Sequence, residues 1–151
     1  MAPSHSLVHH FFISFTPLIY IFLKLGCEQI SFFAPVTIGQ GAAAQTFELV
    51  VDTGSSTLAV AGNTCTTGCT NVSPRYLQST HQANGAVNTM GTISSTYYDG
   101  TSWNATIWED TVTVGTASLP DMKIGIITSA GGYFRTDCNG DQPPPNQGIM
   151  G

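Results

Sequence analysis

Phe47-Glu48-Leu49-Val50-Val51-Asp52-Thr53-Gly54-Ser55-Ser56 is the stretch on which the fold turns. Its first half is a short apolar run with paired valines, the composition of a strand. Asp52 closes that run, and Thr53, Gly54 and Ser55 follow as a tight turn. A carboxylate held at a strand end on a glycine turn is able to face a surface cleft. Backbone N–H groups and the Ser55 hydroxyl stand ready to donate hydrogen bonds to it and keep it ionised. The plainer reading of Asp52 is a turn residue that caps its own backbone. The flanking sequence separates the two.

Outward from this turn the chain is a series of short apolar runs divided by turn signals. Val36–Ile38 precedes it and ends at Gly39; Leu58–Ala61 follows and ends at Gly62-Asn63. Residues 62–90, rich in Thr, Asn, Gly and Cys, read as a long irregular excursion. Thr92–Tyr98 and Trp103–Val114 flank Asp99-Gly100, a hairpin signal. Ile124–Thr128 is a further strand, and residues 130–147, with their paired glycines and three prolines, read as loop before Gly148-Ile149-Met150-Gly151. Short strands at this spacing predict an all-β sandwich or barrel.

Composition agrees. Only 9% of the 151 residues are charged, against about 25% in average globular chains. Hydrophobic residues make up 42%, enough for a packed core and unlike a disordered segment. The net charge is −5, and the four basic residues, Lys24, Arg75, Lys123 and Arg135, are scattered. Neutralising phosphates needs clustered positive charge, so nucleic-acid binding is excluded. A weakly charged, acidic surface suits a secreted protein working at low pH.

The N-terminus differs in texture. Phe11 to Leu25 reads FFISFTPLIYIFLKL. Its length fits the core of a signal peptide, about 7–15 residues, better than the roughly 20 of a transmembrane helix. Yet His5, His9 and His10 precede it without Lys or Arg, and Gly26-Cys27 is a poor cleavage site. Residues 1–31 are therefore set apart as a signal-like or anchor-like segment, or as sequence foreign to the mature protein, and residues 32–151 as one domain. His5 and His9 share a helical spacing, but no third ligand accompanies them.

Five ordered landmarks carry a resemblance. They are Phe33-Ala34-Pro35-Val36-Thr37-Ile38-Gly39, Ala44-Gln45-Thr46-Phe47, Asp52-Thr53-Gly54-Ser55-Ser56, Glu109-Asp110-Thr111-Val112-Thr113-Val114-Gly115 and Gly148-Ile149-Met150-Gly151. From about Phe32 to Gly151 the chain resembles the N-terminal lobe of pepsin-like aspartic proteases of fungal type. The resemblance implies one all-β lobe of a bilobal fold and the activity of an aspartic-type endopeptidase. It makes Asp52 the catalytic carboxylate and Thr53, Gly54 and Ser55 the active-site turn, with Ser55 hydrogen-bonded to Asp52 and orienting it. Tyr97, Asp99 and Gly100 fall in the flap, the hairpin that closes over substrate; a register one residue shorter would choose Tyr98 instead of Tyr97. The implied substrate is an extended polypeptide, and no cofactor or metal is called for. Secretion or a vacuolar location follows, with membrane anchoring through residues 11–25 as the alternative.

Among the four cysteines, Cys65 and Cys69 are the pair that would close a small disulfide loop. A zinc site joining them to His81 and Cys138 is the competing reading, with irregular spacing; otherwise His81 reads as a partnerless loop residue. Asn71-Val72-Ser73 and Asn104-Ala105-Thr106 have the form of glycosylation acceptors. Pro74 weakens the first, and a glycan on the second would sit on the flap hairpin.

Two departures from the family stand out. Many members place a Trp shortly after the catalytic turn, where it braces the flap Tyr, but Ser56 is followed here by Thr57-Leu58-Ala59-Val60. Trp103 and Trp108 lie too far along the flap hairpin for sequence to assign them that role. The mechanism also needs two carboxylates sharing one proton, and no second Asp-Thr-Gly or Asp-Ser-Gly occurs, since Asp110-Thr111 runs on into Val112. The expectation is a fragment lacking its C-terminal lobe. The alternatives are a half-size protease active as a homodimer, and a catalytically inactive binding module of the same fold.

Overall fold

The computed structural model describes residues 32–134 and 146–151, together with the backbone of Lys24–Leu25. The histidines His5, His9 and His10, the apolar segment up to residue 23, and Cys27 and Cys138 lie outside the described residues. The strands are β1 (Lys24–Leu25), β2 (Phe32–Ile38), β3 (Gln45–Val51), β4 (Leu58–Ala61), β5 (Val87–Thr96), β6 (Ser102–Val114), β7 (Ala117–Gly131) and β8 (Gly148–Met150). They form one sheet in the order β1-β2-β3-β8-β4-β7-β6-β5, and β2 also pairs with β6. That second pairing closes the sheet on itself, so the fold is an all-β barrel.

Strand alternation builds the interior. The four residues of β4 are all buried, as expected of a strand covered on both faces. Leu58 and Val60 enter one apolar cluster with Val36, Ile38, Phe47, Leu49 and Ile126. Ala59 and Ala61 enter a second, with Cys65, Cys69, Trp103, Ile127 and Ile149. Each large side chain fully buried in this way contributes about 1.5–3 kcal/mol.

Two segments exceed the sequence expectation. The excursion over 62–90 contains a short helix, α1 (Gln78–Ala83), and the start of β5. β7 runs well beyond Ile124–Thr128 in both directions, because β6 pairs with it from Val114↔Ala117 to Trp103↔Ala130. The ladder of a long neighbour holds Ser118 and Lys123 in strand geometry although their own propensities are weak, while Asp121, outside the register at a bulge, takes a φ of +53°.

β8 is three residues long and yet central. It runs parallel to β3 and antiparallel to β4, filling the space between them. A Cβ on Gly148 would overlap the Ala59 carbonyl oxygen, so only glycine lets the backbones approach this closely.

His81, read from sequence as a loop residue without a partner, is buried on α1 at 1% exposure. Its Nδ1 lies 2.7 Å from Asp110 Oδ2 and its Nε2 lies 2.9 Å from Gln45 Oε1. The Gln45 amide is oriented by two backbone bonds: Leu77 N–H donates to Oε1 and Nε2 donates to the Arg75 carbonyl. Both ring nitrogens are thus engaged, Nε2 by the Gln45 carbonyl oxygen and Nδ1 by the Asp110 carboxylate. Tyr76 stacks on this ring at 3.9 Å and donates its hydroxyl to Asp110 at 2.9 Å. With both ring nitrogens engaged and Cys65 bonded to Cys69, these residues are not a zinc site.

Burial pushes the Asp110 carboxyl up, but hydrogen bonds from His81, the Thr111 N–H and Tyr76, with the His81 charge, outweigh it and hold the group below its usual range. A depressed carboxyl stabilises the fold above its unfolded-state value, near about 3.9, and that contribution is lost as pH falls through the folded-state value. Asp110→Asn removes the buried carboxylate that His81, Tyr76 and the Thr111 N–H share, and costs about 3–5 kcal/mol in urea unfolding at pH 6. The gap to the parent narrows as the unfolding series moves below about pH 4. Gly148→Ala, by forcing β8 off β4, costs about 3 kcal/mol in the same measurement.

Candidate active site

β3 delivers Asp52 to the barrel end. The Asp52 N–H donates to the Met150 carbonyl at 2.9 Å, continuing the β3–β8 ladder by one residue. Beyond it the chain turns: Gly54 N–H donates to Asp52 Oδ1 at 2.9 Å, and Ser55 N–H reaches the Asp52 carbonyl oxygen at 3.3 Å. Gly151 N–H donates to the Thr57 carbonyl at 3.2 Å, so the end of β8 backs the turn from behind. Asp52 is half-buried, whereas Thr53 and Gly54 are exposed. The turn thus presents one carboxylate, with one oxygen held by a backbone donor, on an open surface.

Ser55 departs from expectation. Its Oγ is buried, makes no hydrogen bond among the described residues, and occupies the place where a Cβ on Gly151 would stand. The bond to Asp52 expected from sequence is absent because the side chain packs back against β8. The Gly54 N–H bond supplies the polar contact to the carboxylate instead.

β5 and β6 form the hairpin beside this turn, paired from Ile93↔Ala105 through Ser95↔Trp103 to Thr96↔Ser102. Its tip closes on itself: Tyr97 N–H donates to the Thr101 carbonyl at 2.8 Å, and Gly100 N–H donates to the Tyr97 carbonyl at 3.0 Å. Gly100 takes a φ of +82°, a conformation that glycine adopts without strain. Asp99 Oδ1 accepts from both the Thr101 N–H and its hydroxyl, at 2.9 and 2.7 Å.

The two candidate tyrosines part company here. Tyr98 stands fully exposed at the tip, while Tyr97 packs against the second apolar cluster. Trp103 Nε1–H donates to the Tyr97 hydroxyl at 3.0 Å, and Tyr133 stacks on the Tyr97 ring at 5.6 Å. Tyr133 also feels Asp52: burial first, then the neighbouring Tyr97 and Asp52, push its phenol well above the usual range. Asp52, Tyr97 and Tyr133 therefore gather at one end of the barrel.

Cys65 and Cys69 are joined in a disulfide with Cα atoms 5.8 Å apart. Both are buried in the cluster that holds Trp103. The Thr67 carbonyl inside this loop accepts from the Ala130 N–H at 2.9 Å, tying the loop to β7 just before Tyr133. No group of three or more His, Cys, Asp or Glu side chains suited to a metal ion occurs among the described residues.

The sequence pattern of the eukaryotic aspartyl protease family matches residues 31–151. The chain belongs to this family. An aspartic protease of Phaffia rhodozyma is 31% identical over 118 residues, which is 78% of this chain and 25% of that protein. The aspartic proteinase of Irpex lacteus superposes with a TM-score of 0.53 at 25% identity, over 80% of this chain and 28% of that one. The chain thus spans about a quarter of the length of these relatives. Its all-β barrel is the N-terminal lobe of the pepsin-like fold.

Against the family pattern, the departure at Thr57–Val60 acquires a structural answer. Trp103, on the return strand of the β5–β6 hairpin itself, supplies the indole that holds Tyr97. Sequence reasoning set Trp103 aside as too far along the hairpin and did not single out Tyr133. The signal for Trp103 was present, since a tip at Asp99-Gly100 places residues 95, 97 and 103 on one face of the hairpin. Nothing comparable marked Tyr133.

Tyr97→Phe removes this bond while keeping the ring and is expected to cost about 1 kcal/mol in urea unfolding. Trp103→Phe removes the bond and also leaves a void in the buried cluster, so it costs more, about 2–3 kcal/mol. The double variant costs little more than Trp103→Phe, because the bond is already gone in that variant.

Proposed function

We propose that this chain furnishes one half of the catalytic centre of an aspartic endopeptidase, with Asp52 as its carboxylate. The supporting observation is the exposed turn at the end of β3, where Gly54 N–H holds Asp52 Oδ1 beside the tyrosine-bearing flap. In the reaction one carboxylate is ionised and takes a proton from a water. That water's oxygen attacks the scissile carbonyl carbon. A second carboxylate, protonated, polarises the carbonyl oxygen by donating to it. Two such groups lie too close for both to ionise, so they share one proton and titrate as a pair. The second carboxylate comes from a C-terminal lobe, and the substrate is a polypeptide bound extended under the hairpin. The acidic setting this chemistry needs is that of a secreted or vacuolar protein.

A second reading draws on the exposure of Thr53 and Gly54: two copies of this chain could bring two Asp52 residues together. A peptide-cleavage assay at acidic pH separates the possibilities, using the 151-residue chain alone and fused to the C-terminal lobe of the Phaffia rhodozyma relative. Cleavage by the fusion alone, lowered by roughly 10³-fold or more on Asp52→Asn, is the expected result. Cleavage by the unfused chain at the size of a dimer supports paired copies. Peptide binding without cleavage by either protein marks an inactive binding module.

A further inference from the structure

We propose that Asn104 is an N-glycan acceptor and that its first sugars lie in an uncharged groove on the outer face of the flap hairpin. Asn104-Ala105-Thr106 lies within β6, where alternation sends Trp103 and Ala105 into the cluster that contains Tyr97. Asn104 and Thr106 share the opposite face, across from Ser94 and Thr92. Asn104 is exposed, and its Nδ2 donates to Ser129 Oγ at 3.1 Å. A glycan at this position leaves the face of the flap tyrosine open, so it need not obstruct a substrate.

The surroundings fit a saccharide. A depression of about 290 Å³ is lined by Asn104 with Thr92, Ser94, Thr106 and Thr128. It adjoins a second of about 440 Å³, which shares Thr106 and Thr128 and continues to Asn88, Gln78 and the Trp108 ring. No charged side chain lines either one. Hydroxyl and amide groups beside an aromatic ring are the contacts a neutral polyhydroxyl ligand uses. Asn71, the other acceptor by sequence, lines neither depression and is followed by Ser73-Pro74.

The co-reactant is a lipid-diphosphate-linked oligosaccharide. Asn104 Nδ2 forms a bond to the anomeric carbon, and the bond from that carbon to the diphosphate oxygen breaks. Lipid diphosphate leaves with the electron pair, and one amide proton passes to the base of the transferase. The remaining Nδ2–H continues to donate to Ser129 Oγ.

The test expresses the full chain behind a secretory leader in a glycosylating yeast, with intact mass and peptide mapping of the product. Near-UV circular dichroism from the buried Trp103 and Trp108 reports that the secreted chain has folded. A glycosidic amidase that turns the linked Asn into Asp should convert residue 104 and leave Asn71 unchanged. Asn104→Gln should abolish the modification, and Thr106→Ser should retain it. Removing the glycan should raise hydrogen exchange at the Thr92 and Ser94 amides several-fold. A folded, secreted chain with unmodified Asn104, or with conversion at Asn71 alone, overturns the acceptor assignment. Unchanged exchange on deglycosylation overturns the seating in the groove. Neither outcome depends on whether the chain takes part in proteolysis.

Discussion

Three residues hold the barrel together where two halves of the sheet would otherwise part. β8 reaches β3 on one side and β4 on the other, and the backbone of Gln147 extends the same bridge by donating to Glu48 and accepting from Ala61. β3 and β4 are not hydrogen-bonded to each other, so their edges are satisfied by β8. Asp52 inherits its position from this arrangement, because its own N–H is the next rung of the ladder. Gly148 sets the spacing and Gly151 accommodates the turn. The presentation of the carboxylate is therefore a property of backbone pairing more than of the side chains around it.

The second apolar cluster works as a frame for the β5–β6 hairpin. It gathers the disulfide loop, Ala130 of β7, Trp103 of β6 and the rings of Tyr97 and Tyr133. Packed interiors transmit displacement instead of absorbing it. A hairpin tip whose tyrosine is bonded to a buried indole moves as part of that frame, while Tyr98, one residue further on, stays in solvent. The His81–Asp110–Tyr76 group performs a similar service at the other cluster, pinning α1 to β6 with charge and ring stacking.

What the sequence made legible was local. The valine run ending in Asp52, the Asp99-Gly100 hairpin and the short span between Cys65 and Cys69 all bring their partners within a few residues, and each stands in the structure as read. What was hidden depended on distant partners. His81 finds Asp110 29 residues away and Gln45 36 residues away, so nothing beside it announced a buried, fully engaged imidazole. The outer parts of β7 are strand only because β6 lies alongside. Ser55 was misjudged because its side chain answers to Gly151, the last residue of the chain, and not to the aspartate three positions before it.

The place of β8 also governs the order in which this lobe can assemble. Leu49 pairs with Gly148, a separation of 99 residues, whereas the β5–β6 hairpin joins neighbours. Contacts so remote in sequence raise the contact order and slow folding, since loop closure must precede the gain from pairing. During synthesis the hairpin can form early, but β3 and β4 keep unpaired inner edges until residues 148–150 emerge. The turn that carries Asp52 is consequently among the last parts of the lobe to acquire its shape, and the interval before it does is when the nascent chain is most open to edge-to-edge association.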